Sequence, residues 1–127
     1  MLYLSDAEFR ACVQAAVASL PEEFRPYLRN ISFLIEPWPT RQLVAEAGLH
    51  LAPGTTLLGL YVGVPLTARV HGAPPLLPDR IYIFMQPLCE VCADAEALQR
   101  QIAITVVHEI AHHFGFDEDE LRRLGYG

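Results

Sequence analysis

The chain has 127 residues, of which 52% are apolar, a length and composition that fit a single domain spanning residues 1–127 with one buried core. Only 19% of the residues are charged, which argues against an intrinsically disordered chain. The formal net charge is −6, and this acidic balance disfavours DNA or RNA binding, because contacts to phosphates need clustered cations.

The beginning of the chain predicts neither a membrane segment nor a targeting signal. No apolar run reaches the roughly 18 residues that a membrane-spanning helix needs. The first residues, MLYLSD, lack the basic start and the apolar stretch of a signal peptide. We therefore expect a cytoplasmic protein without membrane contact.

An amphipathic helix is the first predicted element. Ser5 and Glu8 form the pattern of a capping box, and apolar residues then recur at helical spacing as far as Leu20. Pro21 ends this helix or starts the next short turn, which runs through residues 22–24.

The middle of the chain predicts a small sheet. Apolar residues alternate over 31–35, which indicates a strand with one apolar face. A short helix is expected over 41–47, and a second strand over 57–64, whose two glycines indicate a bend or a bulge. A proline-rich loop over 67–79 precedes the third strand, over 81–85.

The last third of the chain is helical. Asp94 is a plausible N-cap, residues 95–114 contain no Gly or Pro and predict a helix about 30 Å long, and Gly115 stands where a left-handed residue ends a helix. Asp117 and Glu120 then resemble a capping box that starts a short C-terminal helix. Together the elements predict an α+β domain, with a mixed sheet of about three strands packed on the long helix and the N-terminal helix.

The long helix contains the motif HExxH at residues 108–112. His108 and His112 are four residues apart, so they share one helix face and can bind one metal ion at about 2.1 Å from each imidazole. Glu109 lies beside the pair and can accept a proton from a metal-bound water, whose pKa falls to roughly 7. This arrangement predicts Zn²⁺ as cofactor, the two histidines as ligands and Glu109 as the catalytic base.

A zinc site of this type needs a third protein ligand and one open position. In the longer pattern HExxHxxGxxH, the glycine turns the chain back toward the metal. Here the pattern reads HExxHxxGxxE, with Gly115 as the glycine and Glu118 in the last position. By register we predict Glu118 as the third ligand, and Asp117 or Asp119 takes this role if the turn differs by one residue.

The segment from His108 to Leu121 resembles the minimal metzincins, small bacterial zincin-like zinc metallopeptidases. This resemblance implies a zincin-like α+β fold, a zinc site in the extended motif and a peptide substrate. In that family the third ligand is commonly Asp at the position of Glu118. In this chain, no methionine follows Gly115 to form the Met-turn of metzincins. The resemblance covers most of the chain from about residue 31, with further similar blocks at 58–61, 64–67, 77–81 and 125–126.

The preferred hypothesis is therefore a zinc metallopeptidase with a shallow site, suited to a flexible peptide or an unfolded protein segment. The missing Met-turn and the small size motivate an alternative, a non-catalytic zincin-fold binding protein. A metal-dependent hydrolase of a non-peptide bond is a third possibility, because the activation of water is shared chemistry.

Several weaker signals remain. Cys89 and Cys92 form CxxC, which suits redox chemistry, a disulfide or half of a Cys₄ zinc site; without a second pair or a βαβ pattern, we expect a structural role or a disulfide. His113 is expected to pack or to form a hydrogen bond, and His50 and His71 to lie on the surface. The candidates for stabilising an oxyanion are Tyr61, Arg69 and Tyr126, for which packing or a loop position is the ordinary alternative.

Overall fold

Most of the predicted helices and strands are present in the structure, although several of their bounds differ by one or two residues. A computed structural model describes residues 1–49, 56–63 and 77–126. Within these residues it contains a short 3₁₀ turn, Glu22–Phe24, and the following helices and strands: α1 (Asp6–Ala18), α2 (Arg25–Leu28), β1 (Ile31–Glu36), α3 (Arg41–Glu46), β2 (Gly59–Val62), β3 (Asp79–Phe84), α4 (Met85–Val91), α5 (Ala95–Phe114) and α6 (Glu118–Arg123).

Capping residues mark the start of α1 and both ends of α5 as predicted, whereas α1 ends at Ala18, two residues before the predicted Leu20. The Ser5 hydroxyl accepts the backbone N–H of Glu8, and the Glu8 carboxylate accepts the N–H of Ser5, which confirms the capping box of α1. In α5, the Asp94 carboxylate accepts the N–H of Ala97 at 2.8 Å. Gly115 ends α5 with φ of +79°, a backbone conformation that glycine adopts without steric cost.

The three strands form one mixed sheet, as predicted, and their order in it is β1-β3-β2. β1 is parallel to β3, with Phe33 opposite Ile81. β2 is antiparallel to β3, with Tyr61 opposite Ile81. The third strand begins two residues earlier than predicted, at Asp79, and ends at Phe84, one residue early.

Helix α4 was not predicted from the sequence, and its presence corrects the expected end of the third strand. Met85 is its first residue rather than the last residue of the strand. Pro87 is the third residue of α4, in the first helical turn, where its missing N–H has no helical partner to lose. Pro87 is therefore compatible with a helix at this position.

The main core lies between α1, α5 and one face of the sheet. Apolar residues recur every four positions along α5, at Leu98, Ile102, Val106 and Ile110, and all four side chains are fully buried. A smaller cluster on the opposite face of the sheet is partly covered by α3, through Leu43. His108 is two residues beyond Val106, about 200° round the helix, so this histidine lies away from the apolar stripe of α5.

The cysteines lie beside this core as free thiols. Cys89 is buried in α4 and Cys92 is buried just after it, whereas Cys12 on α1 is half-buried. Burial raises the pKa of all three thiols above that of a free cysteine, which keeps them protonated and poorly nucleophilic. The structure thus favours the structural role for this CxxC pair and contains no disulfide between its thiols.

Some predictions fall on residues outside the described ranges. These are residue 64 of the second strand, most of the proline-rich loop, His50, Arg69 and His71. In the part of the chain that is described, no helix combines the length and the apolar character needed to cross a membrane.

Close packing between β2 and α5 occurs at Gly59. A Cβ atom added there would lie 2.6 Å from Cγ2 of Thr105 and 3.1 Å from the backbone oxygen of Tyr82. The absence of a side chain at this position lets the strand approach the helix that carries the HExxH motif.

We expect Gly59→Ala to lower the free energy of unfolding by about 1–3 kcal/mol, because the new methyl group overlaps Thr105. Adding Thr105→Ser removes Cγ2 and should restore part of the loss. Urea denaturation of the two single variants and the double variant measures both effects. Equal stability of Gly59→Ala and the wild type, or no recovery in the double variant, would contradict the close contact.

Candidate metal centre

The last turns of α5 bring His108 and His112 together on one helix face. Their ring centres are 6.4 Å apart and their ring planes are inclined by 48°. His108 is half-buried and His112 is exposed. The sequence prediction that the two imidazoles share a face is therefore confirmed.

The donor types fit zinc. A tetrahedral zinc ion about 2.1 Å from one nitrogen of each imidazole would hold the ring centres roughly 5 Å apart. The observed separation of 6.4 Å between the ring centres is wider than this. Within residues 1–49, 56–63 and 77–126, no group of three or more His, Cys, Asp or Glu side chains is arranged to hold a metal ion.

Glu109 lies between α5 and the sheet. Its Oε1 accepts the backbone N–H of Tyr61 in β2 at 2.9 Å. In an antiparallel pair, successive residues turn their backbone groups alternately toward and away from the partner strand. The carbonyl of Leu58 accepts the N–H of Phe84, so the N–H of Tyr61, three residues on, faces away from β3 and toward α5.

Burial raises the pKa of the Glu109 carboxyl above its ordinary value. The hydrogen bond from Tyr61 and the nearby imidazoles of His112 and His108 lower this pKa, but by less than burial raises it. A carboxylate with a raised pKa is a stronger proton acceptor than an exposed one. The environment of Glu109 thus suits the role of a general base.

Tyr61 is held at its backbone, its ring and its hydroxyl. The hydroxyl donates a hydrogen bond of 2.6 Å to the buried carboxylate of Asp79. The ring stacks on the imidazole of His113, with centres 4.0 Å apart and planes inclined by 17°. These contacts give Tyr61 a structural role rather than that of an oxyanion donor, and the stack confirms the packing role predicted for His113.

The acidic residues after Gly115 belong to the start of α6. Asp117 is the N-cap, and its carboxylate accepts the N–H of Glu120 at 2.8 Å. Asp119 pairs with the guanidinium of Arg122. Glu118 is the exposed first residue of α6 and, within the described part of the chain, is not brought into a three-donor group with the histidines. Glu118 therefore stays a prediction as the third ligand.

Tyr126 contacts the site through its backbone. The carbonyl oxygen of Tyr126 lies 2.5 Å from Nε2 of His108. The tyrosine ring packs edge-on against Phe24, with ring centres 6.2 Å apart. The sequence suggests only the hydroxyl of Tyr126 as a functional group, because a backbone oxygen 18 residues from its partner leaves no signal in a sequence.

An open cleft borders the site. Its volume is about 350 Å³, and its walls combine Glu109, His112 and His113 with a mainly apolar set of side chains. The remaining lining residues are Ala47, Leu49, Leu57, Leu60 and Tyr61. Glu109 and His112 are therefore part of the wall of a cleft that is open to solvent.

Comparison with known proteins adds two findings. A family model described as zincin-like metallopeptidase matches residues 28–127. Among solved structures, the chain is similar to a conserved hypothetical protein from Thermo thermophilus, with 23% identity and a TM-score of 0.55 over 87% of this chain and 94% of that chain. This likeness indicates a shared fold. No curated protein matches the chain significantly.

We expect Tyr61→Phe to lower the free energy of unfolding by about 1–3 kcal/mol, because it removes a hydrogen bond to a buried carboxylate. Tyr3→Phe is the matched control, since Tyr3 is 85% exposed and should change stability by less than about 0.5 kcal/mol. Thermal and urea denaturation measure both. Equal stability of the two variants would show that the contact with Asp79 does not hold β2 in place.

Proposed function

The chain belongs to the zincin-like metallopeptidase family, and from this premise we propose that it is a zinc-dependent hydrolase that cleaves peptide bonds. One observation carries the proposal. Two imidazoles share the solvent-facing side of α5, and the carboxylate of Glu109 is held beside them by the backbone of β2. These groups are the ones that metal-assisted hydrolysis requires of a helix.

In this proposal His108 and His112 would hold zinc, and Glu118 would supply the third ligand. The other acidic residues of this segment support the choice of Glu118, because the carboxylates of Asp117 and Asp119 are engaged in local contacts within α6. When bound, zinc lowers the pKa of water from about 16 to roughly 7 and polarises a carbonyl group.

Glu109 moves the proton. The Tyr61 N–H donates a hydrogen bond to Oε1, so we assign the proton transfer to Oε2. This oxygen takes a proton from the attacking water and returns it to the leaving amine. The raised pKa of this carboxyl helps both steps, because a carboxylate of ordinary pKa would be a weaker base and would hold the proton less well before its return.

The open cleft supports a peptide as substrate. It is about 350 Å³ in volume and lined largely by apolar side chains, with Glu109 and His112 in its wall. A flexible peptide or an unfolded protein segment can enter such a cleft from solvent.

A non-catalytic zincin-fold binding protein is the second candidate. The observation that favours it is the lack, in the described ranges, of a group of three donors arranged for a metal. The two candidates differ in turnover, since a binding protein would hold zinc or a peptide without consuming the peptide.

We expect Glu109→Gln to lower kcat on a peptide library by about 10²–10⁴-fold while zinc stays bound, because the amide cannot take a proton from water. Glu96→Gln is the matched control, since Glu96 lies in the first turn of the same helix, and should leave kcat unchanged. Mass spectrometry of the library and metal analysis of the proteins measure the two effects. Equal turnover by Glu109→Gln and the wild type would refute the catalytic role of Glu109.

We expect Glu118→Ala to weaken zinc binding by on the order of tenfold or more, whereas Asp119→Ala should leave it unchanged. The control removes a neighbouring carboxylate of the same helix turn, whose exposed pair with Arg122 contributes little stability. Competition with a chromophoric chelator measures the affinity. A loss confined to Asp119→Ala would move the third ligand to that residue.

A further inference from the structure

The residues that follow α6 reach back to the metal-ligand pair. We call residues 124–126 the post-helix turn. The carbonyl oxygen of Tyr126 lies 2.5 Å from Nε2 of His108. A carbonyl oxygen is only an acceptor, so Nε2 must carry the proton of this hydrogen bond. A nitrogen that carries this proton has no lone pair left for a metal ion.

The position of this carbonyl is determined by the turn itself. Gly125 has φ of +90°, the Tyr126 N–H donates to the carbonyl of Leu121 at 2.8 Å, and the Gly125 N–H donates to the carbonyl of Arg122 at 3.1 Å. This pair of bonds is the Schellman ending of a helix, and it directs the chain back toward α5.

The side chain of Tyr126 anchors the turn on the core. Its ring contacts Phe24 edge-on at 6.2 Å, and Phe24 is fully buried. Leu124 also packs against the main core. The turn therefore presents its carbonyl to His108 through contacts that do not involve the histidine.

We propose that the post-helix turn competes with the metal for Nε2 of His108. Zinc then binds through this nitrogen only after the carbonyl of Tyr126 has been released. This inference rests on the proposed function, because it takes His108 as a zinc ligand. The apparent association constant for zinc is then the intrinsic constant multiplied by the fraction of molecules in which the turn is released.

By linkage, zinc and the docked turn weaken each other equally. A partner or substrate that draws the post-helix turn away from α5 would raise the affinity for zinc. The turn thus provides a means of controlling metal loading without any change in the ligands themselves.

The test compares two glycine variants that impose the same strain. Gly125→Val disrupts the post-helix turn, because a β-branched residue is unfavourable at positive φ. Gly48→Val is the matched control. Gly48 ends α3 with φ of +74° and the same pair of hydrogen bonds, and an added Cβ meets nothing within 4 Å at either glycine.

Zn²⁺ alone is the probe, and its affinity is measured by competition with a chromophoric chelator. We expect Gly125→Val to bind zinc about two- to tenfold more tightly than the wild type, the range that the loss of one hydrogen bond allows. Gly48→Val should match the wild type. Hydrogen–deuterium exchange of the wild type is the second measurement, and zinc should accelerate exchange at the Tyr126 amide.

Equal zinc affinity of the wild type and both variants, with no zinc effect on exchange at Tyr126, would overturn the inference and leave the proposed function intact. Weaker binding by Gly125→Val alone would also overturn it, because the carbonyl would then support a ring that binds zinc through Nδ1. Failure of the wild type and both variants to bind zinc would refute the proposed function, and this inference with it.

Discussion

The contact between β2 and α5 is the constraint on which the site depends. The strand approaches the helix closely because position 59 has no side chain, and two residues later the N–H of Tyr61 reaches the carboxylate of Glu109. Without the burial that the packing of β2 on α5 provides, the carboxylate of Glu109 would be solvated and would keep an ordinary pKa. The packing of one edge of the sheet on α5 thus determines both the position of Glu109 and its basicity.

The same strand connects the site to the stability of the domain. Tyr61 joins Glu109 through its backbone, the buried carboxylate of Asp79 through its hydroxyl, and the ring of His113 through stacking. The contacts with Glu109 and His113 join β2 to α5, and the contact with Asp79 joins β2 to β3. The geometry around Glu109 is therefore inseparable from the folding of the sheet, and stability measurements report indirectly on the site.

Much of this architecture follows from local signals in the sequence. The N-cap Asp94, the uninterrupted run of 95–114 and the glycine that ends it specify α5 within single residues, because each acts on neighbouring backbone groups. The i, i+4 spacing likewise places His108 and His112 on one face. The sequence does not predict α4, because proline is unfavourable in a helix outside its first turn. Only the structure places Pro87 in the first turn of α4.

The remaining features of the site depend on contacts between distant parts of the chain. The carbonyl of Tyr126 meets His108 through a backbone atom, and the backbone of β2 meets Glu109 across 48 residues. Neither contact requires a particular side-chain type, so neither has a motif. The third ligand depends on how far the chain turns after Gly115, which the spacing of HExxHxxGxxE suggests but does not determine.

The most direct measurement is X-ray absorption at the zinc edge, on protein loaded with one equivalent of zinc, compared with His108→Ala and His112→Ala. The account predicts two imidazole nitrogens at about 2.0–2.1 Å, completed by oxygen ligands, and the loss of one imidazole contribution in each variant. A wild-type spectrum without imidazole scattering, or one that both variants leave unchanged, would show that these histidines do not hold the metal.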